Sequence, residues 1–274
     1  MSDSLNLKFD ALQAIFQTMG KAVIAYSGGV DSAYLLKVAF DTLGDNAVAV
    51  TAISESYPRW ERDEARILAE TIGAKVIEIN TDEIEREEYR KNAGDRCYFC
   101  KSELFSLAAD KAQALNLGQL CYGAIPDDLG DHRPGMVAAD EWAIRAPLVE
   151  VGLTKLEIRE LSRRAGLPTW DKPASACLAS RFPYGVEITR TKLQQVEACE
   201  SALRTIGFRD FRARYHEHLV RIEFASDELA RVLEDGTVRT RIIDACKSVG
   251  FKFVTIDLEG YRSGSANVLV GIDG

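Results

Sequence analysis

The chain has 274 residues and a formal net charge of -8 at pH 7, which suits one large domain or two small ones and argues against a broad nucleic-acid surface. Hydrophobic residues make up 46% and charged residues 28%, an ordinary globular balance that forms a core without a disulfide scaffold. No apolar run approaches the roughly 20 residues of a membrane span, and the opening MSDSLNLKFDALQ lacks the basic and apolar regions of a signal peptide.

A cytoplasmic location is therefore expected, with no membrane partner. Reduced cysteines there point to metal, redox or catalytic use rather than disulfides. In chain order, KAVIAY (21–26) reads as a strand, followed by a helix from Asp31 to Leu43 that stops at Gly44. AVAVTAI (47–53) is a second strand, and Pro58 suits the first turn of a helix running to Ile72. KVIEI (75–79) is a third strand, and a polar, acidic helix is predicted from Thr81. The pattern breaks around Asn92 to Arg96, and a helix resumes from Tyr98 to Leu115. QLCYGA (119–124) is a fourth strand, and IPDDLGDHRPG (125–135) reads as a loop. Strands alternating with helices imply an α/β fold with a doubly wound parallel sheet.

Thr154 and Glu157 have the spacing of a capping box, opening a helix that ends at Gly166. Residues 167–185 hold three prolines and little periodicity, as expected of a connection between domains. Beyond them come a helix (189–206), strands FRARYHE and HLVRIEF, helices at 227–235 and 237–248, and a final strand FKFVTID (251–257). The expected organisation is a first domain over 1–170, a connecting active-site segment over 171–185, and a smaller C-terminal α+β domain over 186–274 that serves substrate binding or oligomerisation.

The string SGGVDS, Ser27 to Ser32, interrupts the first strand and its helix. Ligands of doubly wound sheets bind beyond the carboxyl ends of the strands. A helix start there offers free N–H groups and the positive end of the dipole to an anion. Gly28 and Gly29 let the backbone approach phosphate, and Ser27 and Ser32 add hydroxyl donors. Asp31 is out of place against a phosphate unless it orients the loop or meets a magnesium ion. The ending Gly-Lys-Ser/Thr of a Walker loop is missing. The string resembles the pyrophosphate (PP) loop of the N-type ATP pyrophosphatases, which split ATP into AMP and pyrophosphate while adenylating a substrate. The bland alternative is a tight turn with glycines needed for packing.

Cys97 and Cys100 form a C-x-x-C, and Cys177 lies far downstream. Structural zinc would want four ligands, and no second C-x-x-C is present. Three thiolates suit a [4Fe-4S] cubane with one iron left open, although such clusters usually take four cysteines. The competing view makes Cys97 and Cys100 unconnected core residues. Cys121, Cys199 and Cys246 fall inside predicted elements and read as core.

Taken with GDHRPG, ASRFPYG, FRARYH and LEGYRSGSAN, the segment AYSGGVDSAYLLKVA resembles the LarE family over nearly the whole chain. That family comprises ATP-dependent synthases that make the bisthiocarboxylate precursor of the nickel-pincer nucleotide cofactor. The resemblance implies a PP-loop fold of the adenine nucleotide alpha hydrolase type and a pyridinium-3,5-dicarboxylate mononucleotide substrate. ATP with Mg2+ would adenylate each carboxylate, and sulfur would displace AMP. One branch sacrifices a cysteine beside SRFPYG. Here that position aligns with Ala176, with Cys177 one place later, and the C-x-x-C matches the other branch, thought to bind [4Fe-4S]. Cys97, Cys100 and Cys177 are thus expected as iron ligands, with Cys177 also catalytic.

By the same resemblance Ser180, Arg181 and Glu200 are expected near the chemistry, Glu200 as a candidate acid or metal ligand. Arg212 and Arg214, two apart on a predicted strand and so on one face, are expected to clamp phosphate or carboxylate. Asp128, with Asp127 and Asp131, is a candidate magnesium site or an ordinary acidic turn. Ser54 is a weak adenine contact, and Arg262 and Ser263 are weak phosphate contacts. Sulfide or another sulfur donor and a homo-oligomeric state are expected. The rivals are a tRNA thiolase, for which the charge gives no basic RNA surface, a sacrificial single-turnover enzyme, an amide-forming synthetase that needs none of the cysteines, and a non-catalytic nucleotide sensor.

Overall fold

The computed structural model describes residues 3–129, 134–173 and 176–262. In chain order its elements are α1 (Asp3–Met19), β1 (Ala22–Ala25), α2 (Val30–Leu43), β2 (Ala47–Ile53), α3 (Arg59–Ile72), β3 (Lys75–Asn80), α4 (Glu87–Arg90) and α5 (Arg96–Ala114). There follow β4 (Gln119–Tyr122), α6 (Pro134–Glu141), α7 (Pro147–Glu150), α8 (Lys155–Arg164) and α9 (Arg190–Ile206). Strands β5 (Phe211–His216) and β6 (Leu219–Phe224), helices α10 (Ser226–Glu234) and α11 (Gly236–Ser248), and β7 (Phe253–Ile256) come next.

The described residues divide into two compact units. The first takes in the chain up to Ser54, Arg59–Glu83 and Cys97–Lys172. The second takes in Glu55–Pro58, Ile84–Arg96 and the residues from Pro173 onward. The first unit is built on a four-stranded sheet of order β3-β2-β1-β4, with β1 parallel to both β2 and β4 and β2 parallel to β3. Alternation along β1 sends Ala22 and Ile24 to one face, where they pack with α1, α2, α3 and α8. It sends Val23 to the other, with Phe105 and Ala108 of α5 and Ala138 and Ala139 of α6. Helices on both faces make the sheet doubly wound, an α/β fold of the adenine nucleotide alpha hydrolase (PP-loop) type. Both faces of each central strand are buried, which explains why AVIA and AVAV read as continuous apolar runs.

Helix α1 was absent from the sequence expectation, though Leu5, Phe9, Leu12 and Phe16 repeat at helical spacing and pack into the first core. Lys8 of α1 donates to both carboxylate oxygens of Glu157 at 2.8 and 2.7 Å. Thr154 accepts from the Glu157 N–H while Glu157 accepts from the Thr154 N–H, so the capping box forms. The acidic helix predicted from Thr81 is not continuous. It breaks into a single turn over Glu83–Glu85 and the short α4, where the chain passes from the first unit to the second after Glu83, and Ile84 and Tyr89 are buried. Within the predicted loop after β4, Pro126–Asp128 forms one 3-10 turn, and α6 starts at Pro134.

The second unit holds a three-stranded sheet, order β5-β6-β7, antiparallel between β5 and β6 and parallel between β6 and β7. Phe211, Ala213 and Tyr215 alternate on β5, and all three are buried, as are Leu203 of α9 and Ile242 of α11.

The β1–α2 turn depends on Gly28. Its φ is +67°, and a Cβ added there would lie 2.5 Å from the Ala65 Cβ of α3. Gly28→Ala is expected to cost about 2–4 kcal/mol, from the left-handed backbone and the overpacking together. Urea unfolding measures it, with Gly29→Ala, whose added Cβ meets Ser27 Oγ no closer than 3.6 Å, as the milder control.

Candidate active site

In the first unit, Ser27 to Ser32 lies at the carboxyl end of β1 and opens α2. Gly29 is the N-cap, and its carbonyl accepts the Ala33 N–H at 2.9 Å. The N–H groups of a first helical turn have no intrahelical acceptor and are offered outward. Ser32 is buried and folds back. Its hydroxyl lies 3.2 Å from Ser27 Oγ and 3.3 Å from the Gly29 carbonyl, and it accepts the Ser27 N–H at 3.3 Å. Tyr26 anchors the turn from below, donating its hydroxyl to the Ala65 carbonyl at 2.9 Å, and burial pushes its pKa up. Gly123, just past β4, packs against the same turn, where an added Cβ would stand 2.9 Å from the Ser32 nitrogen. Ser54 follows β2, which runs parallel to β1, so it lies at the same end of the sheet.

Asp31 is held by Lys155, the first residue of α8, whose ammonium lies 2.9 and 2.7 Å from the two carboxylate oxygens. Asp127 accepts the Lys155 backbone N–H at 3.1 Å, and Asp128 accepts the Ile125 N–H at 3.1 Å. Each of these acids therefore spends an oxygen on shaping the loop. Lys172 reaches the Gly28 carbonyl at 3.5 Å and Glu64 at 3.1 Å, while Arg159 grips the Trp170 and Lys172 carbonyls at 2.7 and 2.8 Å. Asp131 and Ser263 lie outside the described residues. Arg262 is described and pairs with Glu259.

In the second unit, Cys177 precedes a single helical turn, Leu178–Arg181. Ser180 donates its hydroxyl to the Cys177 carbonyl at 2.8 Å. Arg181 Nη1 donates to the carbonyls of Ala176 and Cys177 at 2.6 and 3.2 Å. Its other nitrogens pair with Glu200 at 2.9 and 3.1 Å. Both side chains are buried, and Glu200 also accepts the Ala213 N–H of β5 at 3.0 Å. Burial pushes the Glu200 carboxyl up, but Arg181 and the Ala213 N–H outweigh it and hold the group below the usual carboxylate range. Ser180, Arg181 and Glu200 thus act on the backbone that carries Cys177.

Arg212 and Arg214 share one face of β5 and are buried rather than solvated. Arg212 lies over the Tyr261 ring, 4.4 Å from its centroid. Arg214 donates to the Ser180 carbonyl at 2.9 Å and to Glu223 at 2.8 Å. Glu223 is buried and also meets Arg221 at 3.2 Å.

The six cysteines sort by exposure. Cys97 is exposed, and Cys100 and Cys177 are intermediate, whereas Cys121, Cys199 and Cys246 are buried. Cys97 and Cys100 are the second and fifth residues of α5 and belong to the first unit, and Cys177 belongs to the second. Burial pushes the Cys121 thiol to about 12. Cys199 lies 3.4 Å from Cys246 in the core, and that contact and burial push its thiol up. Among the described residues no group of three or more His, Cys, Asp or Glu is arranged to hold a metal ion, and no helix is long and apolar enough to cross a membrane.

The sequence is 37% identical over 265 residues to the pyridinium-3,5-bisthiocarboxylic acid mononucleotide synthase of Lactiplantibacillus plantarum, covering 96% of this chain and 95% of that one. The chain belongs to this synthase family. It is also 44% identical to an uncharacterized protein of Synechocystis, over 96% of this chain and 98% of the other. A shorter stretch of 62 residues, 23% of this chain, is 40% identical to the NH(3)-dependent NAD(+) synthetase of Finegoldia magna. No protein-family model matches.

Lys155, Lys172 and Gly123 were not singled out in the sequence. Lysines inside or flanking helices are commonplace, and nothing local places these two beside a loop more than a hundred positions earlier.

Iodoacetamide applied to the native synthase-family protein under reducing conditions is expected to modify Cys97, Cys100 and Cys177 first. Peptide mass mapping checks this, with Cys121, Cys199 and Cys246 reacting after denaturation. Glu200→Ala strands the buried Arg181 and is expected to cost about 3–5 kcal/mol in urea unfolding. Because the folded carboxyl has the lower pKa, its contribution is full above the unfolded value and is lost as pH falls through the depressed folded one. Glu200→Gln should therefore flatten the acid limb of the stability–pH curve.

Proposed function

We propose that the protein is an ATP-dependent sulfur transferase that converts the two carboxylates of a pyridinium-3,5-dicarboxylate mononucleotide to thiocarboxylates, a step in making the nickel-pincer nucleotide. The observation that carries this is the Ser27–Ser32 loop, open at the start of α2, in a chain alike over nearly its whole length to a synthase whose product is a bisthiocarboxylic acid mononucleotide.

A carboxylate oxygen attacks the α-phosphorus of ATP, the bond to the bridging oxygen breaks, and pyrophosphate leaves. The N–H groups of the first turn of α2, with Ser27 and Ser32, receive the charge that develops on it. Asp31, in the first turn of α2, and Asp128, in the turn after β4, carry the oxygen donors that suit Mg2+, and the ion would offset the phosphate charge. A sulfur nucleophile then attacks the acyl carbon of the adenylate, and AMP departs with the former carboxylate oxygen.

Cys97, Cys100 and Cys177 are proposed as the thiols of sulfur delivery. They are the accessible three of the six and the right donor type for a [4Fe-4S] cluster, whose open iron would present a sulfide. The clamp of Arg181 and Ser180 on the Cys177 carbonyl holds that segment while leaving the sulfur outside those bonds. Glu200, paired with Arg181, is proposed as a positioning residue.

Protein prepared without oxygen is expected to contain iron and acid-labile sulfide, and Cys97→Ala, Cys100→Ala and Cys177→Ala should each lose them. Iron-free wild-type protein whose intact mass falls by one H2S on turnover would instead make Cys177 a sacrificed sulfur source.

A further inference from the structure

The break from Asn92 to Arg96, just before Cys97, joins several segments of the second unit. Asn92 is fully buried and has a left-handed φ of +52°, a conformation that glycine and asparagine adopt at least cost. Glycine would take that backbone as readily but would lack the amide. The amide nitrogen donates to the carbonyls of Pro183 and Val186 at 2.8 and 3.3 Å, with the Phe182 carbonyl at 3.5 Å. The amide oxygen accepts from Arg96 Nη1, and the backbone carbonyl accepts the Gly185 N–H at 3.1 Å. Carbonyls on one side and a guanidinium on the other settle which end of the amide is which.

Arg96 extends this hold. It is buried, and the same Nη1 donates to the Ala179 carbonyl at 3.0 Å. Ala179 lies in the single turn that follows Cys177, and Arg96 is the residue before Cys97. The backbone leading into one accessible cysteine is thereby bonded to the backbone leading out of another, and Asn92 ties both to the carbonyls of Pro183 and Val186.

We propose that Asn92 is a positioning residue for sulfur delivery, which through Arg96 sets Cys97 in register with Cys177. The inference rests on those cysteines being thiols of sulfur delivery. A core asparagine with a purely structural part would change stability alone, whereas this one changes how two cysteines act together.

The test uses the full chain, reduced and freed of metal by a chelator, and dibromobimane, which bridges two thiols and fluoresces once both arms have reacted. Peptide mass mapping identifies the bridged pair. In a C100S background, Cys97 and Cys177 are the accessible thiols. Bridging between them is expected, and N92G should slow it by about tenfold, since nearness governs the second alkylation. Glycine keeps the left-handed backbone, so the change removes the amide alone. In a C177S background the pair is Cys97 and Cys100, neighbours on one helix, and N92G should leave their bridging within about twofold of its parent. R96M, which deletes the next link, should behave as N92G does in both backgrounds.

If N92G bridges Cys97 to Cys177 as fast as its parent, the proposal is wrong. Equal slowing of both pairs would also overturn it, since that marks general loosening. Where N92G does not fold, R96M in the same two backgrounds decides. C100S protein that never bridges Cys97 to Cys177 would remove the reading of these thiols as partners in sulfur delivery, whereas bridging that N92G leaves unaltered removes only the role of Asn92.

Discussion

Between β1 and α2 the backbone has to reverse within a few residues while lying against α3, and Gly28 is where this becomes possible. Its left-handed φ and the closeness of Ala65 exclude a side chain on two separate grounds. The rest of the first unit is arranged around that turn. Tyr26 fastens it to the Ala65 carbonyl, Ser32 ties its two ends together, and Gly123 allows the chain leaving β4 to pass against it. The outcome is a helix start fixed at the carboxyl end of the sheet, with the N–H groups of its first turn left without intrahelical acceptors.

The second unit solves a different problem, that of keeping charged groups out of water. Glu200 and Glu223 are both buried, and each is met by guanidinium groups. A buried ion pair adds little net stability over apolar packing, so its presence is better explained by the geometry it imposes. Arg181 spans from Glu200 to the carbonyls of Ala176 and Cys177, and Arg214 spans from Glu223 to the carbonyl of Ser180. Two carboxylates thus steady, through two arginines, the five-residue stretch that carries the half-exposed cysteine. Ser180 and Arg181, with Glu200 behind Arg181, grip the backbone beside Cys177, contacts that spacing in the sequence does not show.

Among the cysteines, burial separates two populations. Cys121 on β4, and Cys199 with Cys246 between α9 and α11, are core residues whose thiols resist ionisation, as their places within apolar elements suggested. The C-x-x-C pair and Cys177 remain reachable. The reachable three are the residues that the motifs had marked.

The sequence by itself determined the alternation of strands and helices, the doubly wound α/β class, the SGGVDS turn and the capping box at Thr154. Each of these is written in neighbours a few positions apart: period-two or continuous apolar runs, glycine punctuation, a hydroxyl followed by an acid at the third place. The regular spacing of Leu5, Phe9, Leu12 and Phe16 was equally legible, and α1 could have been read from it. Tertiary structure alone decided that Glu55–Pro58 and Ile84–Arg96 fold with the C-terminal residues. It also decided that Lys155 partners Asp31, and that Arg181 and Glu200 are buried together behind Cys177. These are matters of which distant segments meet. A lysine or a glutamate has the same local signature on a solvated face as beside a phosphate loop, and the meeting is set by the packing of whole elements rather than by any residue's neighbours in the chain.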